Sequence, residues 1–66
     1  MEIYFTLYDK RYMLLPDPDT DVLEDGWLLV YDDRLLKKGT SRDVLNYKVN
    51  GQAISKLWSQ AENIEM

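Results

Sequence analysis

Apolar and polar residues alternate from the start of this 66-residue chain. In "EIYFTLY", Ile3, Phe5 and Leu7 alternate with Tyr4, Thr6 and Tyr8, and "DK" leads on into "RYMLL". A period of two, rich in β-formers, predicts a first hairpin. Pro16 and Pro18 break the pattern, because proline donates nothing to a ladder and restricts the residue before it. After Gly26, "WLLVY" and "RLLKK" flank Asp32-Asp33. A tight turn there makes a second hairpin and puts Trp27, Leu29 and Leu35 on one apolar face. Asp-Asp is a poorer tight-turn pair than Asp-Gly, since a second residue with a Cβ resists positive φ, so a longer loop is the alternative.

The period changes after Gly39. Thr40 followed by Asp43 approximates a capping box and predicts a short helix from about Ser41 to Tyr47. "VNG" at 49–51 interrupts it, and Ile54, Leu57, Trp58, Ala61 and Ile64 then recur at spacings of three and four, the stripe of an amphipathic helix. The opposite side carries Gln52, Ser55, Lys56, Ser59 and Asn63. The expected fold class is α+β: a small N-terminal antiparallel sheet of two hairpins over 1–38, then a C-terminal helix-turn-helix over 40–63, in one domain.

Composition narrows the chemistry. A chain of this length buries only about 60% of its unfolded surface, but 45% hydrophobic residues with two Trp and five Tyr suffice for a small core. The absence of Cys and His removes disulfides, thiolate zinc sites and the commonest general base. No carboxylate pair sits in an evident apolar pocket, and no Ser, Lys or Gly-rich pattern supports nucleophilic or phosphate chemistry. The expectation is a protein without catalysis, cofactor or metal. No apolar run approaches the roughly 20 residues that cross a bilayer, and Glu2 stands where a signal peptide carries positive charge. A cytoplasmic protein with no membrane contact is expected.

The net charge of −4 is unevenly spread. Up to Asp33, nine acids face Lys10 and Arg11; from Arg34 to Gln60, six bases face Asp43 alone. Such asymmetry points to different partners for the two halves, or to a homodimer in which the halves face each other.

The stretch "GTSRDVLNYKVNGQAISKLW" resembles the helix-turn-helix of small phage and mobile-element regulators, through Val44 and Tyr47 in the first helix, Val49 at the turn, and Ile54 and Leu57 in the second. The hairpin ahead of it, joined by Gly-Thr, is similar to small phage proteins built as hairpin then helix-turn-helix. That resemblance implies a DNA-binding regulator whose second helix enters the major groove of double-stranded DNA. Asn50, Gln52, Ser55, Lys56 and Ser59 would then meet base edges, while Lys37, Lys38, Arg42 and Lys48 hold phosphates.

"DPDTDVLEDG" at 17–26 supports a second reading. Asp17, Asp19 and Asp21 have the spacing of a calcium loop, but Val22 and Leu28 stand where such a loop needs Gly and Glu. With Glu24, Asp25, Asp32 and Asp33 these acids could instead present a negative surface to a host nucleic-acid-binding enzyme, as small acidic phage inhibitors of restriction or CRISPR nucleases do. The plainer alternative is a solvated connection that keeps strand edges soluble.

Overall fold

A computed structural model of the chain describes residues 2–21 and 24–66. Met1 and Val22, which entered the signal-peptide and calcium-loop arguments, lie outside the described residues. The N-terminal half is an antiparallel meander. Strands β1 (Ile3–Leu7), β2 (Lys10–Pro16), β3 (Trp27–Tyr31) and β4 (Arg34–Gly39) each pair with the next. Both expected hairpins form, and the pairing of β2 with β3 fuses them into one sheet.

The turns are as tight as two residues allow. Tyr8-Asp9, with φ of 51° and 62°, closes β1–β2; Asp32-Asp33, at 52° and 60°, closes β3–β4. Positive φ at both positions is the type I′ geometry that matches strand twist. Asp33 therefore holds a left-handed conformation that costs a residue with a Cβ more than it costs glycine. Asp33→Gly is expected to stabilise the protein by about 0.5–1 kcal/mol, read as a higher urea midpoint at unchanged slope; an unchanged or lower midpoint would show that Asp33 is not strained.

The inner face of the sheet is set by alternation. Phe5, Leu7, Tyr12, Leu14 and Leu29 are buried, with Phe5 stacked on Tyr12 at 5.5 Å between ring centroids. Leu35 does not join Trp27 and Leu29 there, contrary to the expectation. The two-residue turn pairs Tyr31 with Arg34 and Val30 with Leu35, which puts Leu35 on the outer face; the register then shifts between Leu29 and Val30, so that Lys37 stands opposite Leu29 while Leu36 packs on the core. The extra residue changes the facing only of Lys37 to Gly39, which lie beyond the bulge from the turn.

After Gly39, helix α1 (Ser41–Leu45) is capped by Thr40, whose side chain accepts from the Asp43 N–H while Asp43 accepts from the Thr40 N–H. A Cβ on Gly39 would sit 2.9 Å from the Cβ of Asp43, so glycine leaves room for the acid to reach back. The helix buries Val44 and stops two residues short of the expected end.

From here the expected helix-turn-helix is replaced by something else. β5 (Lys48–Val49) and β6 (Gln52–Ala53) form a miniature hairpin around Asn50-Gly51, at φ 51° and 82°. Asn-Gly is the strongest short hairpin signal, and it takes Gln52 and Ala53 out of the second helix. That helix, α2 (Ile54–Leu57), has one turn and no side-chain cap, and a 3-10 turn follows at Trp58–Gln60. The chain then leaves the helical region: Ala61 is extended, Asn63 has φ 53°, and β7 (Glu62–Glu65) pairs antiparallel with β1. The larger sheet thus reads β4-β3-β2-β1-β7. Pairing to β7 satisfies the backbone groups of β1 that a longer α2 would leave at an open edge. Arg11 fastens this closure from β2: it reaches across β1, donates to Thr6 Oγ1 and the Asn63 carbonyl, and lies 3.3 Å from a Glu65 oxygen.

Helices and small hairpin cover one face of the sheet. Val44, Val49, Ile54 and Leu57 are buried against it, and Trp58 tilts over Phe5 at 5.1 Å.

Candidate functional site

Between the helices and the sheet lies a cleft of about 370 Å³, lined by Ile3, Leu14, Trp27, Val44, Leu45 and Trp58, with Ser41 and Ser55 also on its wall. Its size falls within the range of ligand and side-chain pockets, and its lining is apolar apart from the two serines. Val44 is buried, while Trp27, Leu45 and Trp58 remain half-buried, so aromatic and aliphatic surface faces the opening. The sequence pattern sets Trp58 on the apolar stripe of a helix and Trp27 on a strand face. The visible signal was two tryptophans in a short chain, but what brings them to one cleft is the docking of α1 and the 3-10 turn on the sheet.

Trp27 also lines a second concavity, formed with Pro16, Asp17, Pro18, Thr20, Asp21, Glu24 and Gly26. The acidic loop is therefore contiguous with the apolar cleft. It is closed at its base by the Asp17 N–H donating to the Gly26 carbonyl at 3.0 Å. The Asp17 carboxylate is buried, accepts from the Asp19 N–H at 2.9 Å, and has Lys38 Nζ at 3.5 Å. The Asp19 N–H is the main cause of its lowered pKa, with Thr20 and Lys38 adding to it against the effect of burial. Asp25 bridges loop and helix. Its Oδ2 accepts from the Ser41 hydroxyl at 2.7 Å and the Ser41 N–H at 2.9 Å, and its Oδ1 accepts from the Trp27 indole N–H at 2.9 Å. Ser41, first through its hydroxyl, lowers the Asp25 pKa, so the carboxylate stays ionised beside two residues that line the cleft. Asp19, Asp21, Glu24 and Asp25 are exposed.

The seven acids read as one patch are divided by the meander. β3 runs from the loop to the opposite end of the sheet, so Asp32 and Asp33 sit a strand length away, roughly 17 Å. Asp17, Asp19, Asp21, Glu24 and Asp25 stay together. Asp17 and Asp25 serve the fold as well. Among the described residues no three carboxylates converge to hold a metal ion.

The residues expected at DNA base edges do not share one helix. Asn50 is in the β5–β6 turn, Gln52 in β6, Ser55 and Lys56 in α2, and Ser59 in the 3-10 turn. Ser55 lines the cleft. The expected phosphate contacts also diverge. Lys37 stands opposite Leu29 on the helix-bearing side, near Asp43; Arg42 and Lys48 are exposed on that layer; Lys38 stands opposite Leu28 on the other face. No protein-family model, curated protein or solved structure matches this chain.

Proposed function

We propose that the protein is a small non-enzymatic binding protein that docks on a basic protein surface. It takes one apolar side chain of the partner into the cleft between Trp27 and Trp58 while the acidic loop holds flanking Lys or Arg. The observation that carries this reading is the double role of Trp27, which lines both the apolar cleft and the acidic concavity. Buried aromatic anchors supply most of the affinity in protein contacts, and complementary charge around them supplies orientation and encounter rate. Grooves that handle nucleic acid are one surface of the required sign, which keeps the inhibitor reading of the acidic loop. The groove-reading alternative has lost its instrument. A helix of four residues spans about 6 Å and presents one turn, where a recognition helix lays several along the groove.

The test is an amide NMR titration with a short peptide carrying one Leu between pairs of Lys. Control peptides replace Leu by Ala or Lys by Glu, and a separate titration uses a short DNA duplex. Shifts at Trp27, Ser41, Leu45, Ser55 and Trp58 with the first peptide alone are expected, together with at least tenfold weaker binding by Trp27→Ala. Equal response to the Ala peptide, or a salt-sensitive response to the duplex at Lys37, Arg42, Lys48 and Lys56, would overturn the proposal.

A further inference from the structure

The nitrogen that follows an asparagine can close a five-membered ring on the side-chain Cγ, and glycine is the follower that obstructs this closure least. The chain has one Asn-Gly pair, Asn50-Gly51, and it forms the two-residue loop between the paired Val49 and Gln52. Asn50 has φ 51° and Gly51 φ 82°, the type I′ turn. The type II′ turn closes the same loop with the same positive φ at its first residue, and one flip of the central peptide plane converts the first into the second. The flip takes the first residue's ψ from about 30° to about −120° and the second residue's φ from positive to negative, which glycine alone tolerates without cost. It also swings the Gly51 nitrogen from nearly anti to nearly eclipsed with the Asn50 Cβ, the alignment the ring requires. Space permits it: both residues are exposed, and a Cβ built on Gly51 would meet nothing within 4 Å among the described residues.

We propose that the Asn50-Gly51 turn is a site of spontaneous covalent modification, at which the folded chain loses the side-chain amide of Asn50. Base removes the proton of the Gly51 amide, and its nitrogen bonds to the Asn50 Cγ. The Cγ–Nδ2 bond then breaks and ammonia departs with a proton, leaving a cyclic imide. Water opens the ring at one of its two carbonyls. Attack at Cγ gives aspartate; attack at the backbone carbonyl gives isoaspartate. The net change is one water consumed and one ammonia released, with no oxidant or reductant. A carboxylate then replaces an amide in the basic half of the chain. The isoaspartyl product adds a methylene to a loop built for two residues, while buried Val49 and Ile54 hold the strands on either side, so the Val49–Gln52 pairing opens.

The fold selects this site over its chemical relatives. Asn46 precedes Tyr47, whose N–H already donates to the Val44 carbonyl at 3.3 Å. Asn63 precedes β-branched Ile64, and Arg11 holds the Asn63 carbonyl, which pins the peptide plane that would have to turn. Asp25-Gly26 could close the same ring, but its carboxylate accepts from the Ser41 hydroxyl, the Ser41 N–H and the Trp27 indole. Thr20 is packed against Gly26, and the Gly26 carbonyl accepts from the Asp17 N–H. Only at Asn50 are the electrophile, the nucleophile and the peptide plane between them all exposed to solvent and clear of such restraints.

Peptide mapping by mass spectrometry tests this on the full chain, kept for days in warm, mildly alkaline buffer, with a second sample unfolded in guanidinium. The folded chain is expected to gain about one mass unit at position 50, as a mixture of isoaspartate and aspartate. The conversion is expected to run at least about tenfold faster than change at positions 25, 46 or 63, and to quicken as pH rises, since the nucleophile is the deprotonated amide. Asn50→Gln, which would need a six-membered ring, is expected to abolish it, and Asn63→Gln to leave it unchanged. A folded chain intact at position 50 after the unfolded sample has converted would overturn the proposal, and so would equal conversion at positions 46 and 63. The comparison of folded with unfolded chain uses no variant, so it stands even if Asn50→Gln loosens the turn. No partner enters the reaction, so its outcome is independent of the cleft reading.

Discussion

Phe5→Ala will cost about 4 kcal/mol of folding free energy and leave the protein largely unfolded in mild denaturant. Phe5 is fully buried at the centre of β1, with Tyr12 stacked on one side and Trp58 tilted over it. Its removal deletes two ring contacts and opens a cavity where sheet and helical layer meet, and neither a strand paired on both sides nor a ring already stacked can move far to fill it. A domain of this length has roughly 3 to 10 kcal/mol in total. Urea unfolding followed by tryptophan fluorescence measures the loss directly. A cost below about 1 kcal/mol would mean that the layers are not packed through Phe5.

Ile54→Ala and Ile64→Ala will give very different results, and the contrast tests the C-terminal topology. Ile54 is fully buried at the start of α2, so truncation is expected to cost about 3 kcal/mol. Ile64 is 40% exposed in β7, at the sheet edge, and its truncation is expected to cost under about 1 kcal/mol. A continuous amphipathic helix would place both on one apolar stripe and make the two losses comparable. Equal midpoint shifts in urea would therefore restore the helical reading of residues 54–64.

The contrast also marks where local pattern stops determining structure here. The hairpins, the Thr40–Asp43 cap and α1 were legible because each depends on residues within a few positions of one another. The β4 bulge was not, since nothing in "RLLKK" shows that Lys37 rather than Leu36 stands opposite Leu29 until β3 supplies the register. Asn50-Gly51 was legible but was read as an interruption between helices rather than as a hairpin turn. Ala61, just before β7, and Ile64 within it kept a helical spacing by coincidence, while the deciding interaction was with β1 at the far end of the chain. The cleft was hidden for the same reason: Trp27 and Trp58 are brought together only by the docking of the helical layer on the sheet. The acidic loop could be seen in the sequence, but its separation from Asp32 and Asp33 required the direction of β3.

The closing strand bears on the order of assembly. The four-strand meander is built from neighbours in sequence and can zip hairpin by hairpin on the microsecond scale. β7 joins β1 with almost the whole described chain between them, so its pairing carries the largest loop-closure cost in the fold. During synthesis the outer edge of β1 stays unsatisfied until residues 62–65 have emerged, and Arg11 has no Glu65 to hold. Release of the same strand is then the least costly first step by which the native sheet comes apart, and it returns Tyr4 and Thr6 to an open edge.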